Sequence, residues 1–277
     1  MKPLFSIVIA NFNYGRFLAD AIESILSQRL GDEVELIVCD GGSTDNSLDV
    51  VKKYEKDIAW WCSEEDGGQS NAFNKGFSHA HGRFLTWLNA DDVLTDGALK
   101  AIANEIAKHP DCEWFAGSSV WTDANLRIQR CFCAHRFSVS RVRCGLMSVG
   151  GPSSFFTPRL LAAAGGFDET LHYKMDTDLW YRFFFKCGAR YRRTRHNIFA
   201  YRQHEASKMS GADSHTTERA LANRRRALEE GYVLKQRYGG QTSWRAKFTR
   251  LATLSLVDHL VAVWRNFKWK GIRATEI

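Results

Sequence analysis

Apolar and polar positions along the first hundred residues alternate between two periods. Phe5-Ser6-Ile7-Val8-Ile9 is an almost unbroken apolar run, the pattern of a strand covered on both faces. Phe17, Leu18, Ala21, Ile22, Ile25 and Leu26 then recur at intervals of three and four, which predicts an amphipathic helix. Residues 36–39 read as a second buried strand, and Asp45 is placed to cap a helix carrying Leu48, Val51 and Tyr54. A third strand follows at 58–62, a third helix at 70–80, a fourth strand at 84–88 and a helix at 98–108 that stops at His109-Pro110. Strands alternating with helices form a mostly parallel sheet with helices on both faces. Ligands of such sheets sit beyond the carboxyl ends of the strands. Those ends deliver Asn11 and Asn13, Asp40, the Glu64-Glu65-Asp66 cluster, and then Asn89, Asp91 and Asp92. Four strand ends therefore bring polar and acidic groups to one edge.

The pattern is less regular further on. Residues 113–132 read as strands, 173–186 as helix, 191–201 as a pair of strands and 204–211 as loop. A charged helix is expected over 214–238, with Leu221, Leu228 and Val233 as its apolar marks, and a second long helix over 243–269. A boundary between Ser207 and Ser214 divides the chain into an α/β domain over 1–210 and a helical extension over 211–277.

Composition narrows the class. At 277 residues, 44% hydrophobic and 25% charged, the chain has globular proportions rather than those of a disordered segment. The net charge of +7 suits an anionic partner: nucleic acid, acidic lipid or a phosphorylated small molecule. No apolar stretch reaches the length of a membrane span, and the N-terminal run is too short for a signal peptide. Seven scattered cysteines, an odd number without zinc spacing, read as reduced thiols, so a cytoplasmic location is expected. In the tail, Trp244, Phe248, Leu251, Leu254, Leu260, Val261 and Trp264 lie among Arg245, Lys247, Arg250, Arg265, Lys268 and Lys270. This basic amphipathic pattern fits a helix lying on an anionic membrane surface, or packing on its own domain or a second copy in a homodimer.

The candidate chemistry sits at the strand ends. Asn89-Ala90-Asp91-Asp92 offers oxygen ligands suited to Mg²⁺ or Mn²⁺, which would bridge a diphosphate; equally, Asp92 could cap the helix that follows. In Asp40-Gly41-Gly42-Ser43-Thr44-Asp45 the glycines permit a sharp turn and close approach of a ligand, with Asp40 an acceptor for a base N–H or ribose hydroxyl and Asp45 structural. Asp66-Gly67-Gly68-Gln69-Ser70 opens a helix whose N–H groups could face an anion.

Taken in order, these segments resemble the inverting glycosyltransferases of family 2. Ser6-Ile7-Val8-Ile9-Ala10-Asn11-Phe12-Asn13 is similar to their opening strand, Asp40 to Asp45 to their nucleoside-binding turn, and Asn89-Ala90-Asp91-Asp92 to their DxD metal motif. Gly165-Gly166-Phe167-Asp168-Glu169, with Met175-Asp176-Thr177-Asp178-Leu179-Trp180, resembles the acceptor-side block that carries the base, and Tyr201-Arg202-Gln203-His204 the motif whose His approaches metal or diphosphate. The resemblance spans about residues 4–210 and implies a GT-A fold, a nucleoside diphosphate sugar donor (UDP being the commonest base), and Mn²⁺ or Mg²⁺. It places Ala10, Asn11, Asn13, Asp40, Asp66, Asn89, Ala90 and Asp91 on the donor, and Asp91, Asp92 and His204 on the metal. Three departures stand out: Gly41 where the turn often has a second Asp, Asn89 at the first DxD position, and Met175 before Asp176.

Between the two acids of the base motif, Asp178 lies four before Arg182 and can pair with it at the surface. Asp176 shares a side with Leu179, Trp180 and Phe183, and a carboxylate against an apolar wall is better placed to act as base. Asp176 is therefore assigned as base. The expected reaction is a single displacement onto a hydroxyl of a glycan or lipid-linked acceptor, with inversion, in surface polysaccharide or glycolipid synthesis. Two rival readings are a non-catalytic nucleotide-sugar or nucleic-acid binding module, and a nucleotidyltransferase. The latter is disfavoured because residues 10–15 contain one glycine and no triphosphate loop; nucleic acid is not expected as a partner.

Overall fold

The computed structural model describes residues 2–134, 149–208, 218–238 and 256–277. Four parallel strands form one half of a nine-stranded mixed sheet: β1 (Phe5–Asn11), β2 (Val34–Asp40), β3 (Trp60–Ser63) and β4 (Phe84–Asn89), in the order β3-β2-β1-β4. Helices α1 (Gly15–Leu26), α2 (Ser47–Lys53) and α3 (Gln69–Ser78) connect them. After β4 come the two-residue β5 (Val93–Leu94) and α4 (Ala98–Lys108). The other half of the sheet holds β6 (Trp114–Thr122), β7 (Ile128–Phe132), β8 (Ser154–Phe156) and β9 (Tyr191–Arg202), and it joins the first half through an antiparallel β4–β8 pair. Helix α5 (Pro158–Ala164) follows β8; α6 (Met175–Tyr181) runs on into a π turn over Arg182–Lys186.

The alternation of β1 explains the two cores. Phe5, Ile7 and Ile9 point to one face and pack with α1 and α4, while Val8 points to the other and packs with α3 and α6. On the second face the close approach of α3 needs a glycine: a Cβ on Gly76 would overlap the side chains of Val8 and Cys39. Stacked indoles of Trp87, Trp114 and Trp180, with ring centroids 5.6 and 5.3 Å apart, form the densest part of that core.

Several sequence expectations change in detail. Residues 191–201, expected as two strands, form the single strand β9, whose kink appears as register shifts against β6 near Ser118. β5, β8 and α5 were not expected; each is too short for a period to show. Helix α4 begins at Ala98 behind Gly97 in the left-handed conformation, so Asp92 is not its cap. Asp45 instead joins two helix starts, accepting from Gly15 N at 2.9 Å and Ser47 N at 3.0 Å.

The described residues after 211, namely 218–238 and 256–277, are bound to the α/β unit. Helix α7 (Glu218–Tyr238) buries Leu234 in the second core, and Ala274, beyond α8 (Leu256–Trp269), is fully buried in a small third cluster with Val120 and Ile128. Backbone hydrogen bonds from Ile128 N to Ile272 O (2.8 Å) and Ala274 N to Leu126 O (2.8 Å) seal this contact. Among the described residues no helix is long and apolar enough to cross a membrane. Residues 209–211 of the expected loop and residues 243–255 of the expected 243–269 helix lie outside the described residues.

Candidate active site

The parallel register aligns the strand ends, with Asn11 opposite Asp40, Asp40 opposite Ser63, and Ala10 opposite Asn89. Asp40 is buried and its carboxylate is fully engaged. It receives Asn11 Nδ2 at 2.6 Å, Ser43 N at 2.9 Å, Ser43 Oγ at 2.5 Å and Ser63 Oγ at 2.6 Å. Burial alone would raise its pKa, but these hydrogen bonds outweigh it and hold the carboxyl below the usual range. Asp40 thus shapes the turn. Its four acceptor sites are taken by protein donors. Asn13, in the left-handed region at φ 56°, receives Thr44 N at 2.8 Å and gives its own N–H to Ser43 Oγ at 2.8 Å, locking the two turns together.

Asp66 stands beside this turn. Its Oδ1 accepts from Gly68 N at 2.7 Å, and a Cβ on Gly41 would lie 3.0 Å from its Oδ2. The Asp66 carboxylate therefore occupies the space that a side chain at position 41 would fill. Lys75, on the helix that this turn opens, is paired with Glu64 at 2.8 Å.

The acidic turn divides into inner and outer members. Asp92 is fully buried; one oxygen receives Asn89 Nδ2 at 2.7 Å and the other Arg202 N at 3.0 Å. Burial, then the charge of Asp91, pushes its pKa well up. Asp92, expected on the metal, here turns its carboxyl inward and ties the turn to β9. Asn89 is spent in the same way, accepting from Gln69 Nε2 at 2.7 Å. The Ala90 side chain is 1% exposed within the core, which leaves its backbone to meet a ligand. Ala10 is half-buried at the end of β1, in register with Asn89.

Asp91 is the less buried member, 8% exposed against 0% for Asp92. Its Oδ2 lies 3.1 Å from His204 Nε2, although the two are 113 positions apart. The His204 ring packs on Phe17 (4.4 Å between centroids) and edge-on to Tyr14 (5.6 Å), and its Nδ1 lies 3.4 Å from Arg16 Nη2. Arginine can only donate, so this contact makes Nδ1 the acceptor and Nε2–H the donor toward Asp91. Arg16 and Tyr14, at the start of α1, are site residues that the sequence reading missed; the helical period absorbs them and nothing local marks them.

Asp176 and Asp178 part company at the start of α6. Asp178 is 1% exposed, bonded by Arg182 Nε at 2.7 Å and Tyr238 OH at 2.9 Å. The expected Asp178–Arg182 pair forms, but it is buried rather than at the surface. Asp176 Oδ1 receives Thr177 N at 2.6 Å, while Oδ2 faces Gly151 and the Trp87 indole: a Cβ on Gly151 would lie 3.5 Å from that oxygen and overlap the ring. Burial against this wall raises the Asp176 pKa. The Gly150–Gly151 turn is the second element missed by sequence.

A mixed sheet with nucleotide-type turns at the ends of its parallel strands, an acidic turn at its centre and an acid-bearing helix across the edge defines the GT-A class of fold. The chain belongs to the family described as Glycosyl transferase family 2, whose sequence model matches residues 6–144. An uncharacterized glycosyltransferase of Mycobacterium tuberculosis is 32% identical over 169 residues, 60% of this chain and 63% of that relative. The chain thus spans less than two thirds of this relative's length. The minor teichoic acid biosynthesis protein GgaB of Bacillus subtilis is 33% identical over 110 residues, 38% of this chain and 12% of that protein. Among solved structures, TarS 1-349 of S. aureus in complex with UDP-GlcNAc superposes with a TM-score of 0.61 at 15% identity, covering 98% of this chain and 82% of that one. The mannosyltransferase PcManGT of Pyrobaculum calidifontis, in complex with GDP-Man and Mn²⁺, gives 0.58 at 16% identity, covering 96% and 88%.

Proposed function

We propose that the protein transfers a sugar from a nucleoside diphosphate sugar, with UDP as the favoured base, to an acceptor hydroxyl with inversion at the anomeric carbon. The observation that carries this reading is the pairing of two chemically different groups across one sheet edge: the outward Asp91–His204 pair and the buried-wall carboxylate of Asp176. Asn11, Asn13 and Asp66 line the nucleoside end, with Asp66 supplying the carboxylate that Gly41 lacks. Arg16 and His204 stand where the diphosphate would lie. Asp176 Oδ2 accepts the proton of the acceptor hydroxyl. The acceptor's oxygen, losing that proton to Asp176, attacks the anomeric carbon, the bond from that carbon to the diphosphate oxygen breaks on the opposite face, and the nucleoside diphosphate leaves.

Among the described residues no group of three His, Cys, Asp or Glu side chains is clustered to hold a metal. The Asp91 carboxylate nevertheless fits Mn²⁺ or Mg²⁺, because nucleotide sites commonly give such an ion one or two carboxylates and leave the rest to phosphates; His204 would join it as a ligand only with its proton moved to Nδ1 and that nitrogen turned away from Arg16. A bound ion would neutralise charge on the leaving diphosphate. The teichoic acid biosynthesis named for GgaB supports a cell-surface polysaccharide acceptor. The test is a panel of UDP-glucose, UDP-GlcNAc, UDP-galactose and GDP-mannose, each with Mn²⁺ or EDTA. At least one donor is expected to bind and release its nucleoside diphosphate in a metal-stimulated way; no binding and no release from any donor would sink the proposal.

The acceptor side includes a membrane surface in this reading. On α8, Leu260, Val263, Trp264 and Phe267 form an exposed stripe at helical spacing, with Phe267 91% exposed and Lys268 and Lys270 beside it, while Asn266 on another face holds Cys131 N at 2.7 Å. Sedimentation with vesicles containing phosphatidylglycerol is expected to retain the protein at low salt, and Trp264→Glu with Phe267→Glu to release it. Equal sedimentation of the double variant would rule this surface out.

A further inference from the structure

The segment that introduces α6 is held from an unexpected direction. Residues 172–174 present three successive backbone N–H groups, and one side chain collects all three. Glu230 Oε1 accepts from His172 N at 2.8 Å, and Glu230 Oε2 from Tyr173 N at 2.7 Å and Lys174 N at 2.9 Å. Glu230 is 7% exposed and lies on α7, 54 or more positions beyond Asp176 and outside the segment the family model matches. A carboxylate buried to this degree is costly unless several donors satisfy it, and here three consecutive amides do.

The same turn is gripped on its other edges. Lys208 Nζ donates to His172 O at 2.5 Å and sits 4.9 Å from the Tyr173 ring centroid, so the strand end that bears His204 also reaches this turn. The His172 ring lies against Gly68, in the Asp66–Gly68 turn, at 3.7 Å from where a Cβ would be. Two helical turns after Glu230, α7 grips the same region again, through Arg237 to Asp168 (2.9 Å) ahead of α6 and Tyr238 to Asp178 (2.9 Å) on it. Asp176 is the second residue of the helix that this turn begins.

We infer that Glu230 is a positioning residue for transfer: by fixing the 172–174 turn it sets where the Asp176 carboxylate stands relative to the nucleoside and diphosphate ends of the site. The inference rests on the proposed role of Asp176. Because α6 has only seven residues before its π turn, the amides that lead into it are a principal hold on its first turn, beside the core packing of Met175 and Leu179. A misplacement of about 1 Å at a reacting group lowers rate on the order of a hundredfold while leaving binding largely intact.

Two measurements on the full chain test it. Amide hydrogen exchange read by mass spectrometry is expected to speed up about tenfold in peptides covering 168–181 for Glu230→Gln, with β1 and β4 peptides unchanged. Nucleoside diphosphate release from the accepted donor of the four-member panel is expected to show kcat lowered about tenfold for Glu230→Gln and about a hundredfold for Glu230→Ala, with donor KM within about twofold. Leu234→Ala, one turn on and facing the core, serves as the stability control, with a lower thermal midpoint and unchanged kcat per folded molecule. Glu230→Ala behaving like Leu234→Ala, or unaltered exchange over 168–181, overturns the inference. If Asp176→Asn abolishes release and Glu230→Ala does not, the positioning role alone has failed. If Asp176→Asn also leaves release unchanged, the assignment of the base has failed.

Discussion

Replacing Asp176 by Asn is expected to lower turnover by about three orders of magnitude while leaving donor binding within about twofold, because a general base contributes on the order of 10²- to 10⁴-fold and does not hold the donor. Asn keeps the shape and the hydrogen bond from Thr177 N but has no lone pair basic enough to take a proton. The pH dependence carries a sign that can be checked. The base must be ionised, and burial holds its pKa above the ordinary value of about 3.9 for Asp, so the acidic limb of kcat lies above that range and disappears in the variant. Stability moves the other way. A carboxyl whose native pKa is raised binds its proton more tightly folded than unfolded, so stability declines as pH rises through the interval between the two values. Asn removes that cost, and the thermal midpoint near neutral pH is expected to stay level or rise. A variant with unaltered turnover on the accepted donor would move the base elsewhere.

Asp91→Ala is the second large effect, with turnover down by about 10²- to 10³-fold, the scale on which loss of one group stabilising transition-state charge is felt. Its readout need not be activity. Calorimetry with UDP is expected to show tighter binding with Mn²⁺ than with EDTA for the wild type, and no such difference for Asp91→Ala. Asp92→Asn, by contrast, acts on a buried group that ties Asn89 to the backbone of Arg202, so its cost is expected mainly in the thermal midpoint. Mn²⁺-dependent tightening that survives Asp91→Ala would remove Asp91 from the diphosphate site.

The parallel half of the fold was legible because its elements are long and periodic. β1, β2, β4 and α4 lie within a residue or two of the expected bounds, and α1 and α3 nearly so. Short elements were not: β5 has two residues and β8 three, and their strand character comes from pairing with β9, β4 and β6. The same distinction runs through the site. Strand-end acids could be read from spacing because parallel strands must end at one edge. Which oxygen of neighbouring Asp91 and Asp92 faces outward could not, since that depends on β9 arriving to bond Asp92.

Sequence alone therefore determined the α/β plan, the edge at which the chemistry gathers and the residue types that gather there, because periodicity and chain order constrain each of these. Only the tertiary structure decided that Asp40 is consumed by its own turn, that Asp92 faces the interior and Asp91 meets His204, and that Asp178 is a buried tie while Asp176 keeps an oxygen toward Gly151. It also brought Glu230 to the turn before α6. The physical reason is common to all of these. Whether a carboxylate is a ligand, a base or a tie depends on which donors reach it and how much water remains, and for each of Asp40, Asp91, Asp92 and Asp178 at least one of those donors comes from tens to more than a hundred positions away.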